Sequence, residues 1–122
     1  MKGLTFITLA IIVLGCKPIH EKNDLILGTW DLVSVFDFDN QEISLPPSGE
    51  KLIIEFKSDS LYLRSIANNI EYDVEIYSWY IKGDSIIFDD VYTGYIRELT
   101  TKSLIVDVDI FDTQRYSLIR IK

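Results

Sequence analysis

The chain has 122 residues, 12 of them Lys or Arg and 19 Asp or Glu, for a net charge of −7. Apolar residues at 48% and charged ones at 25% describe a globular domain, not a disordered chain. An acidic chain without a Lys/Arg cluster excludes ordinary nucleic-acid binding, which needs basic side chains to displace phosphate counterions. The single cysteine, Cys16, excludes an intramolecular disulfide and a multi-Cys zinc site. The single histidine, His20, leaves a His-rich metal centre or a Ser-His-Asp arrangement without its parts.

The first sixteen residues read as an address. Met1-Lys2 gives a short positive start, and Leu4 to Leu14 is an apolar stretch broken only by Thr5 and Thr8. A helix needs ~20 apolar residues to cross a bilayer, so this run is too short to span one and fits the core of a signal peptide. Val13-Leu14-Gly15-Cys16 closes it and resembles the lipobox of bacterial lipoproteins. The resemblance implies that residues 1–15 are removed, that Cys16 is lipidated, and that acyl chains fix the protein to the membrane without a spanning helix. Lys17, not an acidic residue, follows the cysteine, so the resemblance implies the outer membrane of the cell envelope. Cys16 to Asp24 reads as a tether able to hold the domain up to ~30 Å from the membrane if extended. His20 lies within it.

From Leu25 onward the expected class is all-β. Short runs rich in Ile, Val, Tyr and Phe alternate with polar residues, and turn residues recur about every ten positions. Strands are predicted at Thr29–Phe38, Lys51–Lys57, Ser60–Ile66, Glu71–Ile81, Ser85–Asp89, Tyr92–Leu99, Ser103–Ile110 and Gln114–Ile121. Turns as short as Ser58-Asp59 and Lys82-Gly83-Asp84 make neighbours in sequence antiparallel neighbours in space. About eight strands then form an up-and-down meander over residues 25–122, and closure into a small barrel removes its two bare edges. Several faces follow from the alternation. Leu52, Ile54 and Phe56 share one, and Leu104, Val106, Val108 and Ile110 share another. Trp79 and Ile81 meet Phe88 and Ile86 across a hairpin. In the first strand Trp30, Leu32, Phe36 and Phe38 compete with Val33 and Val35 for the interior, and the Trp30 face is preferred. Asp39 to Glu50, with Leu45-Pro46-Pro47-Ser48-Gly49, is long for a connection and reads either as a flap beside one mouth or as an inert surface loop.

Gly28-Thr29-Trp30 at the head of the first strand resembles the G-x-W start of the lipocalins, and more closely that of small bacterial lipocalin-like lipoproteins. Trp79-Tyr80-Ile81-Lys82-Gly83-Asp84, the group Ile96, Leu99, Thr100 and Leu104, and the last strand Tyr116 to Lys122 are similar to that family's in order and spacing. The larger family's T-D-x-x-Y motif and C-terminal helix are missing. The resemblance implies a small lipocalin-like barrel and an Arg covering the first-strand Trp, for which Arg120 is the candidate. A G-x-S-x-G nucleophile elbow and the Walker and Rossmann glycine patterns are absent, so no catalytic activity and no cofactor are expected.

An eight-stranded barrel is either filled by its own side chains or holds one small ligand. Trp30, Trp79, Tyr62 and Arg64 are the ligand-site candidates. Trp30 and Trp79 equally suit plain core packing. If Tyr62 faces the lumen, Arg64 does too and could clamp an anionic head; if Leu61 and Leu63 face in, both lie on the surface, which the cost of burying an unpaired charge favours. Asp107, Asp109 and Asp112 near a turn offer three oxygens to calcium, but a solvated acidic face is the simpler reading and no metal is expected; Asp89-Asp90 is read the same way. Two functions compete. One is a lipid-anchored envelope protein holding a small apolar or amphiphilic molecule. The other is a structural or protein-interaction module with a filled barrel. Interior volume separates them, because ligand sites are concave apolar cavities of at least ~300 Å³.

Overall fold

A computed structural model describes residues 18–109 and 112–122. One helix, α1 (Pro18–Ile26), precedes nine strands: β1 (Gly28–Asp37), β2 (Glu42–Ser44), β3 (Glu50–Phe56), β4 (Ser60–Ala67), β5 (Ile70–Lys82), β6 (Ser85–Phe88), β7 (Tyr92–Leu99), β8 (Ser103–Asp109) and β9 (Thr113–Arg120). The strands form one antiparallel sheet in the order β2-β1-β3-β4-β5-β6-β7-β8-β9. It closes where β1 pairs with β9, from Trp30 opposite Arg120 to Asp37 opposite Gln114. Eight strands make the barrel. β2 is an extra short strand that pairs only with the C-terminal end of β1, while β3 takes its N-terminal end. All eight predicted strands are present, with every end within one residue of its predicted place.

The predicted hairpin contacts are also present: Trp79 lies opposite Phe88 and Ile81 opposite Ile86. Leu104 and Val106 are buried, and Val108 packs on the same core; Ile110 lies outside the described residues. The competition in the first strand ends in a β-bulge between Leu32 and Ser34. The extra residue reverses the alternation, so Trp30 and Leu32 face inward before it and Val35 packs inward after it. Phe36 and Phe38 are thereby turned out, where their rings meet edge to face at 4.9 Å.

Two tight turns rest on left-handed residues. Asn68 (φ 53°) and Asn69 (φ 66°) join β4 to β5, and Asp89 (φ 51°) and Asp90 (φ 58°) join β6 to β7. Val91 N donates to Phe88 O at 3.0 Å across the second. Positive φ at both central residues is the hairpin turn whose twist matches the strands, and Asn and Asp tolerate it better than most residues. Asp89-Asp90 is thus a turn and not part of a solvated strand face.

The chain before the barrel departs from expectation. An extended tether was predicted through Asp24, but α1 covers Pro18–Ile26, so these residues advance ~13 Å instead of ~30 Å. Pro suits the first helical turn. The rest of the segment has little apolar content, and the barrel holds it in place. Ile26 is fully buried, Arg120 donates to the carbonyls of Leu25 and Leu27, and Lys22 pairs with Asp84 in the β5–β6 turn. Cys16 and residues 1–15 lie outside the described residues.

Candidate functional site

The two ends of the barrel differ. At the α1 end, Trp30 is fully buried and its Nε1 donates to Ile26 O at 2.9 Å. The Arg120 guanidinium lies over the Trp30 ring at 4.3 Å from its centre. Arg120 also donates from Nε to Thr101 O at 2.7 Å and from Nη1 to Leu27 O at 2.7 Å. Its five donors suit it to gather carbonyls from several segments while its flat face covers an aromatic ring. The arginine expected over the first-strand tryptophan is therefore Arg120. Gly28 shows why a glycine opens the motif: at φ 127°, a Cβ there would sit 2.5 Å from both Arg120 Nη1 and Lys122 O. Trp79 is buried too. Its Nε1 donates to Lys57 O (2.7 Å) and Ser60 O (3.2 Å), and its ring meets Phe56 edge to face at 5.1 Å. Both tryptophans thus hold the closed end together.

Above this floor the lumen is not filled. A cavity of about 410 Å³ runs up the barrel. Ile86, Leu104 and Leu118 form its base, Leu61, Leu63 and Val106 its sides, and Tyr77, Phe88, Tyr92 and Tyr116 its upper part. Tyr92 is 40% exposed, so the cavity reaches solvent at the end away from α1. The wall is incomplete there. β5 pairs with β4 over Ile70–Ser78 but with β6 only over Trp79–Lys82, because β6 stops at Phe88. Among the described residues, the second edge of β5 is left without a strand partner above Ser78. Tyr77, Phe88 and Tyr92 flank this gap.

A second hollow of about 240 Å³ lies where β3 diverges from β1. Leu45, Pro46 and Pro47 border it, with Leu32, Val35 and Tyr72. The long connection is thus placed beside the barrel opening, and part of it is strand β2.

The rim is polar and acidic. Tyr77 Oη donates to Glu75. Glu75 lies opposite Leu63 in the register, on the lumen side of β5. That hydrogen bond, with burial behind it, pushes the Tyr77 phenol up to about 12. Tyr116 Oη donates to Gln114 Oε1 at 3.0 Å, and burial raises its phenol. Asp89 accepts from Ser78 N at 2.8 Å. Farther round, the neighbouring Asp39 carboxyl raises that of Asp112. Asp37 accepts from Asp39 N and Asn40 N in a turn of its own.

Two of the four candidate residues lie outside the lumen. Leu61 and Leu63 face in, so Tyr62 and Arg64 face out. Arg64 pairs with Glu55 and Glu71, each at 3.1 Å, and the Tyr62 ring lies between Lys57 (4.6 Å) and Arg64 (5.2 Å). With two carboxylates outside and an apolar lumen inside, Arg64 gains nothing by turning in. Asp107 likewise serves an outer ion pair. Arg97 Nε and Arg115 Nε each donate to it at 2.7 Å, and it does not join Asp109 and Asp112. Sequence reasoning missed the rim residues Glu75, Tyr77, Tyr92 and Tyr116. The strict apolar–acidic alternation of Ile70–Ile76, ending at Tyr77, was the available signal, but nothing in it says that the neighbouring strand ends early.

Among solved structures, a lipocalin-like protein from Bacteroides uniformis matches with a TM-score of 0.59 at 14% sequence identity, over 79% of this chain and 98% of its own. The fold is lipocalin-like. No family model matches the sequence, and no curated protein matches it.

Proposed function

We propose that the protein is a non-catalytic, lipid-anchored binding protein of the cell envelope that holds one small apolar or amphiphilic molecule in its barrel. The observation that carries the binding reading is the cavity. About 410 Å³ of apolar space with an opening exceeds the ~300 Å³ at which ligand sites begin. A module working through a filled barrel would have no such volume. Counting about 30 Å³ per water-sized group, the space takes a ligand of roughly a dozen non-hydrogen atoms. The lipobox Val13-Leu14-Gly15-Cys16 supports the anchor, with Cys16 as the acylated residue, and Lys17 supports the outer membrane.

Native mass spectrometry of the full chain, extracted from membranes with mild detergent, tests both halves. The expected result is a protein mass starting at an acylated Cys16 with an added small mass that denaturation releases. Val108→Phe, which places a ring in the cavity, is expected to lose the added mass and keep the fold. Consistently bare protein contradicts the binding reading, and an unacylated chain retaining residues 1–15 contradicts the anchor.

A further inference from the structure

The site's charge narrows the ligand class. Among the residues lining the main cavity there is no Lys, Arg or His, so nothing in the lumen can neutralise an anionic head. The gap through which the cavity meets solvent runs beside β5, whose lumen side carries Glu75 and, one step farther out opposite Ser65, Asp73. The other side of the gap is the β6–β7 turn, Asp89-Asp90. Asp89 reaches β5 through its hydrogen bonds to Ser78 and acts on the Tyr77 phenol, as Glu75 does. Arg64 and Arg115 are engaged on the outside of the barrel: Arg64 with Glu55 and Glu71, and Arg115 with Asp107.

We infer that this cavity selects a cationic amphiphile, an alkyl chain of about ten carbons ending in a protonated amine, over a carboxylate of the same length. The chain fills the apolar volume. The ammonium stops at the gap, where Glu75 accepts one of its hydrogens and Asp89 lies across from it. Tyr77 holds Glu75 in place by donating to it from below. A fatty carboxylate in the same pose would bring its charge against Glu75, Asp73 and Asp89 with no donor but tyrosine hydroxyls. The selection is electrostatic at an exposed rim, so its size is modest and salt weakens it.

The inference rests on the binding reading, and one titration series separates the two. Decylamine, 1-decanol and decanoate are titrated calorimetrically into the full chain at neutral pH and low salt, each below its aggregation concentration. The expected order is decylamine, then decanol, then decanoate, with the amine about tenfold tighter than the acid. Glu75→Gln is expected to shrink that ratio to about threefold or less. Asp59→Asn, which removes the same charge in the β3–β4 turn at the opposite end, is expected to leave it unchanged. Decanoate binding as tightly as decylamine, decylamine binding no tighter than decanol, or a ratio insensitive to Glu75→Gln overturns the inference while leaving a binding protein. Binding of none of the three overturns the binding reading itself.

Discussion

Asp107 illustrates how an outward residue becomes structural. It sits on the solvent side of β8, yet it is buried, because Arg97 from β7 and Arg115 from β9 close over it. Arg115 most, then Arg97, holds its carboxyl below the ordinary range, against the opposing effect of burial. The ion pair therefore contributes stability above the unfolded-state pKa of about 4 and loses it as the pH falls through the lower native value. Asp107→Asn is expected to cost about 2 kcal/mol at neutral pH, as for a lost hydrogen bond to a charged group. The gap between wild type and variant should narrow below about pH 4. Urea denaturation of both proteins across that range checks it; a gap that widens on acidification contradicts the assignment.

At the scale of elements, β5 decides where the barrel opens. Its 13 residues are shared between two neighbours in succession, and from Ile70 to Tyr77 only the edge facing β4 is paired. Half the amides of that stretch point at β4 and half at the gap. Amide exchange should therefore alternate fast and slow along Asp73–Tyr77, beyond the bulge at Tyr72, while β4, paired on both edges, protects consecutive amides. Uniform protection along β5 would mean a closed wall. The strands themselves were legible because period-two alternation and short turns are local signals. Three features were not. The bulge after Leu32 divides two competing inward sets: the chain takes Trp30 and Leu32 from one, which also held Phe36 and Phe38, and Val35 from the other, which also held Val33. Helix α1 is held by distant partners, Arg120 and Asp84, and shows weak apolar periodicity of its own. The gap depends on where β6 ends, which Ile86-Ile87-Phe88-Asp89 does not reveal. Of the four candidate residues, Trp30 and Trp79 were readable as core, and Tyr62 with Arg64 hinged on a register that only Leu61 and Leu63 could settle.

At the scale of the whole molecule, one end of the barrel is sealed and the other is open. The seal is Trp30 beneath Arg120, with α1 across it and Trp79 bracing the neighbouring turn. The hollow begins directly above and opens toward an acidic rim. Everything said of ligands depends on that hollow being the place they occupy. The most direct measurement is isotope-filtered NMR of the full chain with 1-decanol, reading contacts between alkyl protons and assigned methyl groups. The predicted contacts are to Leu61, Ile86 and Leu104, in the lower half of the cavity. Contacts confined to the exposed methyls of Val74 and Ile76 on the outside of β5 would contradict the account, as would no contacts at all.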